Sequence, residues 1–221
     1  MKSLKFKLLF MFIPIVILSL GTIAYINHQK AEDFLQTNFQ NEANIKLRFI
    51  QSKIDDWTVL HKDELSLLAE SDQLKGKQPT IEIPYLQSIV QKNSDYEMFF
   101  VSNDLKGQQA YTSLNSTVDI SDRDYFKQSI QGKTVVSDPL ISKVTGKMVL
   151  VISTPIYQNS QVTGVVGATV LIDKLVDIIN TEKLGRTGYP YIYNKDGIVL
   201  VHPNKDQILK LNLHTLNNEQ L

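Results

Sequence analysis

At the start of the chain, apolar and polar positions are segregated rather than interleaved. Lys2, Lys5 and Lys7 precede an almost unbroken apolar run from Leu8 to Ile26 that carries no charge. A helix needs about 20 such residues to cross about 30 Å of hydrocarbon, so the run predicts a transmembrane helix. Pro14 and Gly21 are tolerated in such helices. The three lysines are expected to stay in the cytoplasm, which sends the rest of the chain outward. A cleaved signal peptide is the rival reading. Thr22-Ile23-Ala24 is a poor small-x-small cleavage site and the run exceeds a usual signal core, which favours an uncleaved anchor.

The pattern then becomes amphipathic. From Asn27 to about Ser71 there is no Pro and no Gly. Phe39, Ala43, Leu47, Ile50, Ile54, Trp57, His61 and Leu68 fall mainly at three- and four-residue steps, one face of a long helix. Asp55, Asp56, Lys62, Asp63 and Glu64 lie largely off that stripe. Trp57 reads as a packing anchor rather than a ligand platform.

Gly76-Lys77-Gln78-Pro79 breaks the helix. A short second helix is expected from Pro84 to Lys92, and then the period changes. Residues 97–102 and 108–113 read as strands around Asn103-Asp104-Leu105-Lys106-Gly107. Residues 121–126 read as a short helix capped by Ser121 or Asp122. Lys133–Val136 reads as a strand. Val149–Tyr157 and Val162–Leu171 read as β-branched strands joined by Gln158-Asn159-Ser160-Gln161, with another hairpin turn at 143–147. Asp173 to Glu182 reads as helix. From Tyr189 to Pro203 an aromatic strand, an Asn/Asp/Gly turn and a second strand echo the stretch that begins at Tyr96. The echo suggests two copies of one α+β module. The second has too few residues to bury a core alone, so the chain reads as a fragment or truncated product.

Composition narrows the function. Lys+Arg and Asp+Glu both count 23, which leaves no general attraction to nucleic acid, and no basic stripe supplies a local one. With no cysteine, disulfides and thiolate metal sites are excluded. Gly132-Lys133-Thr134 lacks the first glycine of a phosphate loop, since position 127 is Lys127. A calcium loop opening at Asp119 would need a glutamate where Ile130 stands. His28, His61, His202 and His214 show no zinc spacing. No Gly-x-Ser-x-Gly elbow is present. Asn115-Ser116-Thr117 matches a glycosylation sequon. No catalytic chemistry, metal or cofactor is indicated.

Five blocks in order resemble the double Cache sensor family, the extracytoplasmic PAS-like domains of methyl-accepting chemotaxis receptors, sensor histidine kinases and diguanylate cyclases. Beside the long helix, the blocks are Ile120 to Phe126; Val136-Ser137-Asp138-Pro139 followed by Thr145-Gly146-Lys147; Gly164 to Ala168; and Gly185 to Tyr189 running on to His202-Pro203. The resemblance implies an α+β architecture in five parts. Residues 1–7 are cytoplasmic, 8–26 span the membrane and 27–72 form the long helix. Residues 73–182 form a membrane-distal antiparallel-sheet module that holds ligand, and 183–221 begin an incomplete membrane-proximal module.

The resemblance also implies a site. Arg123 matches the family's carboxylate-binding arginine, whose planar fork suits a carboxylate in a partly dry pocket. Amino-acid binders carry Arg-x-Trp-Tyr; here Tyr125 and Phe126 replace the aromatic pair. Leu140 stands where a tyrosine follows Asp138-Pro139, and Thr169 stands where an aspartate meets the ligand ammonium. With most of the ammonium-recognising set missing, a small organic acid or other metabolite is expected rather than an ordinary α-amino acid. An ion pair of Arg123 with Asp122, Asp124 or Asp138 is the bland alternative, and Tyr125 and Phe126 serve equally well as core.

The expected function is extracytoplasmic ligand sensing and transmembrane signalling, as the sensor part of a chemoreceptor in the cell membrane. A membrane-tethered solute-binding protein is the alternative, and a hydrolase on a PAS-like scaffold lacks any supporting motif. The expected partners are a small molecule, the membrane and, by the resemblance, a second copy of the chain.

Overall fold

The computed structural model describes residues 4–216 of the chain. Helix α1, Leu4–Ala69, is built from the apolar run and the amphipathic stretch together. The structure divides into two compact units, Met1–Arg48 and Phe49–Leu221. In the first, apolar side chains from Met11 to Ile26 are exposed, Leu18 at 75%. Among the described residues this is the one helix long and apolar enough to cross a membrane. Phe39 and Leu47, expected on the packed stripe, are exposed as well.

In the second unit the stripe turns inward from Ile50 onward: Ile50 and His61 are buried, Ile54, Trp57 and Leu68 are half-buried, and Leu65 and Ala69, not placed on the stripe from sequence, are buried beside them. Ile50, His61, Leu65 and Ala69 are each at most 5% exposed. His61 lies between Trp57 and Tyr96, with ring centroids 4.4 and 5.3 Å away. Its Nδ1 donates to the Trp57 carbonyl at 2.9 Å. Trp57 packs against two separate core clusters and so acts as an anchor.

After α1 come α2, Asp72–Lys75, and α3, Pro79–Lys92. The break at Gly76 is real, and Lys77 takes a left-handed φ of 51°. Pro79, read from sequence as part of the breaker, instead opens α3. It sits in the first turn, where a missing N–H costs nothing. The second helix therefore starts a turn earlier than Pro84.

The strands are β1, Met98–Ser102; β2, Ala110–Thr112; β3, Thr117–Val118; β4, Val135–Val136; β5, Leu140–Ile141; β6, Met148–Gln158; and β7, Gln161–Leu171. They form one antiparallel sheet in the order β3-β2-β1-β7-β6-β4, with β5 also on β6. The β6–β7 hairpin turns through Asn159 and Ser160, whose φ values of 49° and 65° suit a tight right-twisted connection. Alternation along the strands sorts the two faces. Phe99, Val101, Ile152, Val166 and Ala168 pack toward Leu65, Leu74 and Leu86 of the helices. Met98, Phe100, Val149, Val151 and Val165 face the other way, against α4, Asp124–Ser129.

The cap of α4 differs from expectation. Arg123 occupies the cap position without a side-chain hydrogen bond. Ser121 is spent elsewhere, its N and Oγ both donating to Asp119 Oδ1 at 2.9 and 2.6 Å, and Asp122 pairs with Lys143.

Helix α5, Asp173–Ile179, ends sooner than the expected Glu182. Strands β8, Ile192–Tyr193, and β9, Val199–Val201, then form a small separate sheet. Residues 183–216 have no separate cluster among the three buried cores. Val201 and Ile208 pack with Ile50 of α1, Leu150 of β6, and Leu175, Val176 and Ile179 of α5. The sequence echo extends to turn mechanism. Asp104 Oδ1 accepts from the N–H groups of Lys106 and Gly107 at 2.9 and 3.1 Å. Asn194 Oδ1 accepts from Asp196 and Ile198, both at 3.0 Å.

Candidate ligand-binding site

Two cavities meet at the sheet face that carries α4, sharing Arg123, Tyr125 and Leu140 as a common wall. The inner one has an apolar floor of Met98, Phe100, Val149 and Val151. It holds about 20 Å³ of free space, room for roughly one water. The outer one holds about 490 Å³ and is polar, lined among others by Asp122, Gln128, Ser137 and Asp138.

Strand alternation explains the floor. On β1 and β6 the residues at Met98, Phe100, Val149 and Val151 point to one face, and Thr169 joins them from β7, where it pairs with Met98. Gly167 is what lets Phe100 lie flat across β7: a Cβ there would stand 2.1 Å from Phe100 Cζ. The Phe100 and Tyr125 rings are 5.9 Å apart. Burial pushes the Tyr125 phenol above its ordinary range, so it stays a neutral donor.

Arg123 is half-buried at the wall. Its Nη2 donates to the Ile141 carbonyl at 3.3 Å. Asp122 is held by Lys143 at 2.7 Å and Asp124 faces Lys127 at 3.6 Å. Among the described residues Arg123 makes no ion pair with Asp122, Asp124 or Asp138. The hydrogen bond from the Lys143 ammonium keeps the Asp122 carboxyl below its usual range. Lys143 also lines the inner cavity, so its lining includes two cationic side chains and no carboxylate, with the Lys143 ammonium turned to Asp122 and the Asp119 carbonyl.

The family model of the Cache domain matches residues 27–219. The chain belongs to the Cache domain family. It is 25% identical over 219 residues to the methyl-accepting chemotaxis protein PscA of Pseudomonas syringae pv. tomato, covering 95% of this chain and 34% of that protein. The chain thus spans about a third of that relative's length. In fold it is similar to the ligand-binding domain of the Pseudomonas fluorescens chemoreceptor CtaA in complex with L-alanine. That match has a TM-score of 0.64 at 19% identity and covers 77% of this chain and 74% of that one. It is also similar to the ligand-binding domain of the Pseudomonas aeruginosa PAO1 amino acid chemoreceptor PctC in complex with GABA, with a TM-score of 0.61 at 22% identity and 78% of each chain covered.

Within this Cache domain the residues singled out from sequence are distributed unevenly. Arg123, Tyr125 and Leu140 line both cavities, Thr169 lines the inner one and Asp138 the outer one. Phe126 lines neither. It is 2% exposed and its ring fills the space beside Gly107, where a Cβ would stand 2.5 Å from Phe126 Cε1. The Thr169 hydroxyl is engaged, lying 3.3 Å from both Glu97 Oε2 and the Met98 carbonyl.

Met98, Phe100, Ser142 and Lys143 were not anticipated as lining residues. The floor positions could have been found from period-two alternation once Thr169 was placed on a site-facing strand. Lys143 carried no such signal, because a lysine in a hairpin turn ordinarily faces solvent.

Proposed function

We propose that this Cache domain is the ligand-sensing part of a membrane receptor and that its ligand is a small organic anion. Residues 73–182 act as the membrane-distal module that holds ligand, and 183–221 begin a membrane-proximal one. The apolar stretch of α1 anchors the chain in the cell membrane, with the bulk of the protein outside. Output, of which chemotaxis is the form its relatives favour, resides in parts of the receptor other than this binding module. The module itself acts by binding rather than by catalysis.

The observation that carries the reading is the Arg123 guanidinium, free of carboxylate partners among the described residues, at the wall of a cavity with an apolar floor. A guanidinium so placed can trade one carbonyl contact for two parallel charge-assisted bonds to a carboxylate. The solved neighbours hold L-alanine and GABA, each with an ammonium as well as a carboxylate. Here Thr169 stands at the wall and no carboxylate lines the inner cavity, which supports an anion without an ammonium. Ligand entry has to enlarge a space of about 20 Å³. The ligand therefore distinguishes an open from a closed arrangement, the requirement for any signal to pass.

The test is calorimetric titration of the full chain in detergent with isovalerate and with L-valine, which differ by the amino group. Isovalerate is expected to bind and L-valine not. Arg123→Gln is expected to abolish binding while circular dichroism stays unchanged. Unchanged affinity in that variant removes Arg123 from the site.

A further inference from the structure

We infer that Lys143 is a second anion-recognising residue of this site, and that residues 142–147 form a strap which a carboxylate ligand releases by taking over the contacts of Lys143 and Arg123. The inference rests on the reading of Arg123 given above and narrows the ligand to a short aliphatic monocarboxylate.

The strap joins β5 to β6 and puts Ser142, Lys143 and Val144 over the inner cavity. Three cations pin it. Arg123 Nη2 holds the Ile141 carbonyl at its root. Lys143 Nζ donates to the Asp119 carbonyl at 2.9 Å and to Asp122 Oδ1 at 2.7 Å. Lys147 Nζ sits 3.4 Å from Glu97 Oε1. The strap is itself a defined turn, closed by Gly146 N–H to the Ser142 carbonyl at 3.0 Å, with Gly146 at a φ of 69°.

The first two pins are exchangeable. The Asp122 side chain is 64% exposed, and a pair in contact with water contributes little. A ligand carboxylate in the drier cavity offers both cations a stronger acceptor. Its hydrocarbon tail would lie on Met98, Phe100, Val149 and Val151. An ammonium would find no lining carboxylate, since Glu97 lies behind Thr169, which bonds its Oε2, with its Oε1 3.4 Å from the Lys147 ammonium. The third pin is not exchangeable in this way, so Lys147 serves as an internal control on the same strap.

The full chain in detergent is titrated with isovalerate. Lys143→Gln is expected to weaken binding about tenfold, the scale of one charge-assisted contact, and Lys143→Arg to retain it. Asp122→Asn, which removes the competing carboxylate, is expected to tighten binding severalfold. Lys147→Gln, which loosens the strap without removing a ligand contact, is expected not to weaken binding. Hydrogen exchange of residues 142–147 should change on addition of isovalerate. Loss of binding in Arg123→Gln with full affinity in Lys143→Gln overturns this inference and leaves the sensor reading standing. No binding of isovalerate to the unsubstituted protein overturns both. Equal weakening by Lys147→Gln shows that strap stability, not the Lys143 charge, was removed, and also overturns it.

Discussion

Asn103 Nδ2 donates to Glu82 Oε2 at 2.8 Å, while the second carboxyl oxygen, Glu82 Oε1, and the amide oxygen, Asn103 Oδ1, are buried without a partner. A proton on Glu82 Oε1 would give that buried oxygen a donor's role. Lys77, the charged group beside them, directs its ammonium to the carbonyls of Asn103 and Thr163 at 3.1 and 2.8 Å rather than to the carboxyl. Burial raises the Glu82 carboxyl above its ordinary 4.5, outweighing the hydrogen bond from Asn103 and the charge of Lys77. A raised acid binds its proton more tightly folded than unfolded. Its contribution to stability is whole below 4.5 and is lost as pH rises through the folded value. Thermal melting should therefore fall with rising pH in that window. Glu82→Gln carries a permanent donor, and should flatten the profile and melt higher than the unsubstituted chain on its alkaline side. Glu82→Ala, which strands Asn103, should cost about 2 kcal/mol at acid pH. A melting profile unchanged by Glu82→Gln would show that the carboxyl is ionised in the fold.

Gly167 and Phe100 make the second prediction. A Cβ there, 2.1 Å from Phe100 Cζ, meets a ring packed between β7 and α4, not the free end of a flexible chain. Gly167→Ala should destabilise by about 1–3 kcal/mol, as overpacking does, and should weaken isovalerate binding because the displaced ring is the cavity floor. Denaturant unfolding measures the first and calorimetry the second. Wild-type stability in Gly167→Ala would mean that β7 has slack at this position.

The large elements were legible because their signals are local. Eleven-residue strands Met148–Gln158 and Gln161–Leu171 declare themselves by β-branching and a two-residue polar turn. The membrane stretch declares itself by length and lack of charge. What escaped reading depends on tertiary placement. Pro79 looks the same as a breaker or as the opening residue of α3. Ser121 was drawn from capping to Asp119 by a turn that only coordinates reveal. Arg123 was singled out through family resemblance, not through any pattern of its own. Lys143 became visible only when the strap closed over the sheet. Glu82 and Asn103, far apart in sequence, carry no local sign of their pairing.

Tyr96 OH donates to Glu64 Oε2, joining the segment just before β1 to the C-terminal stretch of α1 across a part-buried gap. Burial first, then the bond to Glu64 and its charge, push the Tyr96 phenol well above its ordinary range, so the bond persists at any physiological pH. Tyr96→Phe should cost about 1–2 kcal/mol by leaving a charged acceptor without its donor. Glu64→Gln in the same background should recover part of that loss. A double-mutant cycle on urea midpoints gives the coupling directly. Zero coupling would mean that water replaces the phenol without penalty.

The absence of cysteine makes topology measurable with single introduced thiols. If the lysines before the apolar run remain in the cytoplasm, Lys5→Cys is shielded from a membrane-impermeant maleimide in intact cells. Lys30→Cys, beyond the run, should be labelled. Both should react once the membrane is dissolved. The energetic basis is the cost of carrying several ammonium groups across hydrocarbon, which outweighs any preference of the helix for one direction. Cleavage after the apolar run would give a different result, with Lys30→Cys labelled in a product that no longer contains Lys5. Labelling of Lys5→Cys in intact cells would invert the chain and place the cavity beside Arg123 in the cytoplasm, out of reach of an external anion.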